Sequence, residues 1–468
     1  MRRNLFEPLS LNDLYEIHST SLELLERVGI AVYYDEALKL LEEVGAEIDH
    51  SKHVARIPAY LVKDALGSVP NRFKLMGRDP KKRLNVDRDH TYFTIADCGK
   101  IIDIDGRIRD STQKDAENLV ILADYLKNVN FVSVPNAGDV PASIRDQYSY
   151  YIGFNNTTKP IAGHISNGDV ARDVVEMASI VVGGADELRK NPPFCYDFCT
   201  TSPLQWDKKY VGAFKVLANS GIPVGICGTP MLGVTGPVTL AGTLVLANAE
   251  VLSGILLVQL FEKGAPCVYW AGGGAFDMRT LQVLQGAPES GLLGAATAQL
   301  ARYYDLPSMS WIHTDAKISD AQAGYEKALG AFMQISAGNT LVWGIGMMDV
   351  ACAGSYEEAV IDDEIVEMVF RSLRGIEVNE DSLALDVIER VGIGGNYIRE
   401  RHTLRNFMKE LSQVRVSDRR SREKWMNDGG KDTARRASEI AQKILKEHQP
   451  ERLTMDVRHQ LEKVLKRV

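Results

Sequence analysis

The sequence predicts an α/β protein: a (β/α)8 TIM barrel with an N-terminal helical and β extension and a C-terminal helical arm. Three observations predict it. Between residues 90 and 375, short β-rich runs alternate with helical stretches eight times over. The strand runs are nearly continuously apolar, as a parallel sheet covered on both faces requires. No Gly-rich phosphate loop follows the first run at Asp97, which favours a closed barrel over an open doubly wound sheet.

Residues 1–89 read as a separate cap, with amphipathic helices in LNDLYEIHSTSLELLERVG, YDEALKLLEEVG and PAYLVKDALGSVP and short β-like pieces between them. Strands are predicted over 91–97, 130–136, 160–166, 193–201, 222–229, 265–273, 307–314 and 340–346, each followed by polar or Gly-rich residues. The segments between them, such as DAENLVILADYLKN, DVARDVVEMASIVVGG and YEEAVIDDEIVEMVFRSLR, repeat apolar residues at helical spacing. The longest apolar stretch, Val238 to Leu260, is interrupted by Asn248, Glu250 and Gln259. That predicts a buried core helix, not a membrane span. Residues 376–468 are rich in charge and helix formers and read as an arm that packs on the barrel or on a neighbouring subunit, so a homo-oligomer is expected.

With 45% hydrophobic residues in 468, the chain can bury a large core without staples. A net charge of -8 offers nothing to phosphate backbones or anionic membranes, so neither nucleic acid nor a membrane is an expected partner. The N-terminus, MRRNLFEPLSLNDLYEIHS, has two arginines with no apolar core behind them and does not read as a secretory signal. Six cysteines lie scattered, none in a CxxC pair, which predicts a reduced, cytoplasmic protein. Cys195 and Cys199 have CxxxC spacing but fall in the strand run PFCYDFCTTSP, where they read as small core residues.

Active sites of such barrels lie at the C-terminal ends of the strands. There the sequence places Asp97, Asn136, His164, Thr200 with Ser202, Thr229, Trp270, His313 with Asp315 and Lys317, and Met348 with Asp349. The set contains no GxSxG turn, no HExxH and no carboxylate cluster, so neither a hydrolase triad nor a metal is expected. Singly, His164 and His313 read as hydrogen-bonded structural histidines, Lys317 as a solvated loop lysine, and Trp270 and Trp311 as core. Convergence on one rim is what raises them. Gly272, Gly273 and Gly274, in VYWAGGGAFDMRT, either let a wide flat ligand or a partner's cofactor approach the backbone or make a tight barrel corner.

Long stretches carry a resemblance. GTPMLGVTGPVTLAGTLVLANAEVLSGILLVQLFEKGAPCVYW from Gly228, then FDMRT, GAPES, TDAKISDAQAGYEK, GGNYIRERHTLRNF and KWMNDGGKDTARRA, closely resemble the trimethylamine methyltransferase family over nearly the whole chain. The resemblance implies a barrel enzyme that binds a methylated amine at the strand C-termini and receives a separate corrinoid protein over that mouth. The methyl acceptor would be cobalamin in its cob(I)alamin state. It also implies, in the trimethylamine enzymes themselves, a pyrrolysine placed near Asp315 to Lys317, whereas this sequence has only ordinary residues there.

A quaternary ammonium departs as a neutral amine and needs no activating adduct. The expected substrate is therefore a betaine, glycine betaine first, giving dimethylglycine; proline betaine, carnitine and a tertiary methylamine are the alternatives. Its cation calls for aromatic faces, each worth on the order of 0.5–2 kcal/mol, and Tyr92, Phe93, Trp270 and Trp311 are the candidates. Its carboxylate calls for a donor, for which His313, Lys317, Arg279 and His402 are the candidates. Catalysis by positioning requires no general base, so none is assigned. Two other classes fit the same mouth: a metal-dependent barrel lyase or hydrolase, and a non-catalytic betaine binder.

Overall fold

The computed structural model describes residues 6–467; the two N-terminal arginines of the signal reading lie outside them. The fold is mixed α/β with parallel sheets. Eight strands define its centre: β1 (Tyr92–Ile95), β2 (Val129–Ser133), β3 (Ile161–Ala162), β4 (Tyr196–Cys199), β5 (Val224–Gly228), β6 (Cys267–Ala271), β7 (Met309–Trp311) and β8 (Leu341–Ile345). Helices follow them in alternation: α1 (Gln113–Tyr125), α2 (Arg145–Asn156), α3 (Gly168–Val182), α4 (Lys208–Asn219), α5 (Leu240–Phe261), α6 (Pro288–Tyr303), α7 (Ala321–Ala337) and α8 (Tyr356–Arg374).

Parallel pairing runs from β7 through β8, β1 and β2 to β3, and separately from β4 through β5 to β6. Single parallel bridges close both gaps, Ile161 to Phe194 ahead of β4 and Tyr269 to Ser308 ahead of β7. Every strand thus has two parallel neighbours, and the pairing returns to its start. β3 is only two residues long because Pro160 has no N–H to add to the ladder.

Side chains alternate across each strand. One set, including Phe131, Cys195, Cys227, Val268, Met309 and Trp343, packs inside the ring with Leu75, Leu84 and Val86. Those three come from an antiparallel hairpin (Phe73–Leu75 with Leu84–Val86) in the N-terminal region, which thereby covers the end where the strands begin. The opposite set packs on the helices, whose starts are capped as the sequence demands: Thr112 and Asp115 form a capping box on α1, and Asp320 caps α7.

The helix α5 is apolar on every side, the composition of a helix with no solvent face. It lies between the ring and the N-terminal helices Leu11–Arg27 and Ala59–Leu66, and four-fifths of its most apolar window is buried. Its one carboxylate, Glu250, is fully buried and accepts from Thr200 Oγ1 (2.7 Å), Ser202 Oγ (2.8 Å) and the Leu204 amide (2.8 Å). Burial pushes its pKa up against the pull of those donors. Glu250→Ala leaves three donors without an acceptor, and at roughly 1–3 kcal/mol for an unsatisfied buried group a loss of about 3 kcal/mol is expected in urea unfolding.

A four-stranded sheet at the strand C-terminal side was not legible in the sequence. Lys100–Ile102 and Ile108–Asp110 form a hairpin that continues through Ala353–Gly354 to Met347–Met348.

Candidate active site

A cavity of about 180 Å³ opens at the C-terminal ends of β6 and β7, walled by the first turn of α6 and by α7. It is smaller than the roughly 300–1,000 Å³ of drug-sized ligand pockets, so it suits a small metabolite. Trp270, fourth in β6, and Trp311, last in β7, meet there with ring centroids 4.0 Å apart and planes 57° apart. Trp343 of β8 lies 5.8 Å behind Trp311, and the His313 ring stacks on Trp311 at 6.4 Å.

The glycine run serves these rings. A Cβ on Gly272 would fall 2.4 Å from the Trp270 indole, and one on Gly273, at φ +117°, would fall 2.7 Å from the Pro230 carbonyl. Both positions must be glycine for the indole and the 230 loop to sit where they do. Gly274 does not line the cavity; its backbone pairs with Pro230 and Leu232. Gly272 and Gly273 thus both form the corner turn and line the cavity.

The electrostatics of the wall are simple. Burial, helped by the Lys327 charge, holds the His313 pKa down to about 3, so the ring is neutral near pH 7. Its Nδ1 is buried without a hydrogen-bond partner. Glu326 of α7 is the carboxylate in the lining, held by Thr314 Oγ1 (2.6 Å), the Asp315 amide (2.8 Å) and Gln322 Nε2 (2.9 Å). Among the described residues no lysine or arginine lines the cavity.

Of the sequence candidates, the structure brings Thr229, Trp270, Trp311, His313, Gly272 and Gly273 together. The others lie elsewhere. Tyr92 opens β1, at the end where the strands begin, and stacks on His90. Phe93 points outward from the ring and packs edge-on against Phe370. Lys317 is exposed and pairs with Asp349 at 2.7 Å, Arg279 is exposed and pairs with Asp277 across its own turn, and His402 bonds the Asp381 carbonyl in the C-terminal arm. Each of these three side chains has a partner away from the cavity, and none of them lines it.

Two features escaped the sequence reading. Glu326 sits two turns inside α7, where helical spacing gives no hint of which face meets the cavity. Asp197, pushed up to about 6 by burial and by the Asp97 charge, and Cys227 come together from adjacent strands. Cys199 lies opposite Cys227 and reaches the cavity wall.

Comparison with known proteins fits this arrangement. Trimethylamine methyltransferase MttB of Desulfitobacterium hafniense is 38% identical over 447 residues, covering 94% of this chain and 90% of that protein. The glycine betaine methyltransferase of Desulfitobacterium hafniense strain Y51 is 33% identical over 454 residues, covering 96% and 94%. The crystal structure of the Methanosarcina barkeri monomethylamine methyltransferase (MtmB) superposes with a TM-score of 0.58 at 12% identity, covering 95% of this chain and 89% of that one, which shows a shared fold. The family described as trimethylamine methyltransferase (MTTB) matches residues 1–468, and this chain belongs to it.

Proposed function

We propose that the chain is a (β/α)8-barrel methyltransferase that takes a methyl group from a small quaternary amine, glycine betaine first, and passes it to the corrinoid of a partner protein. In this reading residues 90–375 are the barrel, 1–89 its cap and 376–468 its arm. The closed cycle of eight parallel strands supports the barrel. The observation that carries the function is the Trp270–Trp311 pair beside Glu326 in a small cavity that, among the described residues, no lysine or arginine lines.

Indole faces attract a quaternary ammonium, and Glu326 supplies the opposing charge. His313, neutral near pH 7, adds no competing positive charge and brings no acid, and a quaternary nitrogen needs none because it leaves as a neutral amine. The packed wall keeps water from the reacting centre. The corrinoid, held by the partner, supplies the cobalt nucleophile that accepts the methyl group. Loops at the strand C-termini leave Val234, Val238, Met278, Leu281 and Ile318 exposed, an apolar rim of the kind a docking protein covers. The arm exposes Leu385, Ile388, Ile393, Ile398 and Leu404, which fits self-association.

Calorimetric titration with glycine betaine and with its isostere 3,3-dimethylbutanoate, in which an uncharged tert-butyl group replaces the trimethylammonium, tests the cation site. Glycine betaine is expected to bind at least about tenfold more tightly, a difference of about 1.4 kcal/mol; equal affinities contradict the reading. Glu326→Gln is expected to weaken glycine betaine binding about tenfold and not to weaken binding of the isostere, which has no cation for Glu326 to attract.

A further inference from the structure

Beside the tryptophans, the inner face of the ring gathers a carboxylate and two thiols, and among the described residues no lysine or arginine pairs with the carboxylate. Asp197 and Cys199 on β4 and Cys227 on β5 each offer one ligand atom, and the three atoms lie within 4.8 Å of one another. Cys227 Sγ is 3.5 Å from Asp197 Oδ2 and 3.8 Å from the Met309 sulfur on β7. Zn–S bonds of about 2.3 Å in a tetrahedron put neighbouring ligand atoms about 3.5–3.8 Å apart. The two distances from Cys227 match that spacing.

The strand register makes the cluster. Cys199 lies opposite Cys227, and Asp197 lies opposite Gly225. A Cβ on Gly225 would fall 2.6 Å from the Asp197 Cβ and 3.1 Å from the Met309 sulfur, so only glycine there leaves the carboxylate and thioether their places. Among the described residues, no lysine, arginine or histidine forms an ion pair with Asp197; its side chain receives only the weak Cys227 thiol contact. Asp97 adds a second carboxylate whose charge reaches Asp197, with His164 at the edge of the same group. Two carboxylates and two thiols, with no lysine or arginine paired to Asp197 among the described residues, are a set that a bound metal cation completes.

We propose that Asp197, Cys199 and Cys227, with Met309 beside them, form a binding site for a soft divalent cation, Zn²⁺ first, whose open coordination position faces the tryptophan-lined cavity. Two thiolates and a thioether select zinc over magnesium or calcium. Binding replaces the two thiol protons with two metal–sulfur bonds and one metal–oxygen bond, and the protons leave to solvent. Cys199 is shared between cluster and cavity, which places the open position on that side. The site does not depend on the methyl-transfer reading.

Cobalt(II) added to the chelator-treated full chain tests it. The expected result is one Co²⁺ per chain, with a near-ultraviolet thiolate-to-cobalt charge-transfer band and visible bands of four-coordinate intensity, both abolished by Zn²⁺. Acetate, a simple carboxylate, is expected to shift the visible bands by entering the open position. Cys199→Ala and Cys227→Ala are each expected to remove most of the charge-transfer intensity, with circular dichroism and the melting curve reporting that both variants remain folded. Absence of a thiolate band in the folded wild-type chain, or its persistence in the double variant, overturns the site. Visible bands indifferent to acetate overturn the open position.

Discussion

Trp311→Ala is expected to lower kcat/KM for the quaternary amine about 100-fold, which corresponds to about 2.7 kcal/mol of transition-state stabilisation. Loss of one aromatic face on the cation accounts for on the order of 0.5–2 kcal/mol. The rest comes from the neighbours. Trp311 is packed between Trp270, Trp343 and His313, so its removal frees two indoles and an imidazole to turn and opens the wall to water. Such loss of alignment acts on the chemical step as well as on binding. Trp311→Phe keeps a face and is expected to recover most of the activity. A fall of less than about threefold in the folded alanine variant, close to the smallest effect of a lost aromatic face, removes Trp311 from the site.

Lys327→Met is expected to cost about 3–5 kcal/mol in urea unfolding, the penalty of leaving one partner of a buried pair charged and alone. Lys327 and Asp362 are both fully buried, 2.9 Å apart. The ammonium also donates to the Gly344 carbonyl at 2.5 Å, and Asp362 accepts from the Gly346 amide at 2.8 Å. The pair therefore joins α7 and α8 to the end of β8. Glu358 lies buried beside it, and burial together with the Asp362 charge raises its pKa, so removal of the lysine leaves a wholly acidic pocket. Asp362→Asn added to Lys327→Met is expected to recover part of the loss, because the stranded charge is gone. Because the Lys327 charge also helps hold the His313 pKa down, the single variant is expected to raise it, as read by NMR titration.

The two variants mark where the sequence was and was not legible. The eight strand runs could be read because each is short, apolar and ended by turn residues, and Trp270 and Trp311 because an aromatic at a strand end faces either the core or a ligand. Lys327 could not be read: a lysine inside a helix is ordinarily solvated, and only the assembled fold shows that Asp362, 35 positions later, meets it in the interior. The same limit hid the Asp197–Cys199–Cys227 cluster. Its spacing resembles no metal motif because the ligands come from two strands brought side by side by parallel pairing. Arg279, Lys317 and His402 lie away from the tryptophans for the converse reason: a polar side chain is visible in the sequence, and the acid or carbonyl that claims it is not.

The measurement that tests the central proposal most directly mixes the purified chain with cob(I)alamin and, separately, with glycine betaine, proline betaine, carnitine and trimethylamine, following methylcobalamin by absorbance. Methylcobalamin with glycine betaine, and dimethylglycine as the second product, is the predicted result. No conversion with any quaternary amine while the cob(I)alamin remains active, or conversion with trimethylamine alone, contradicts it.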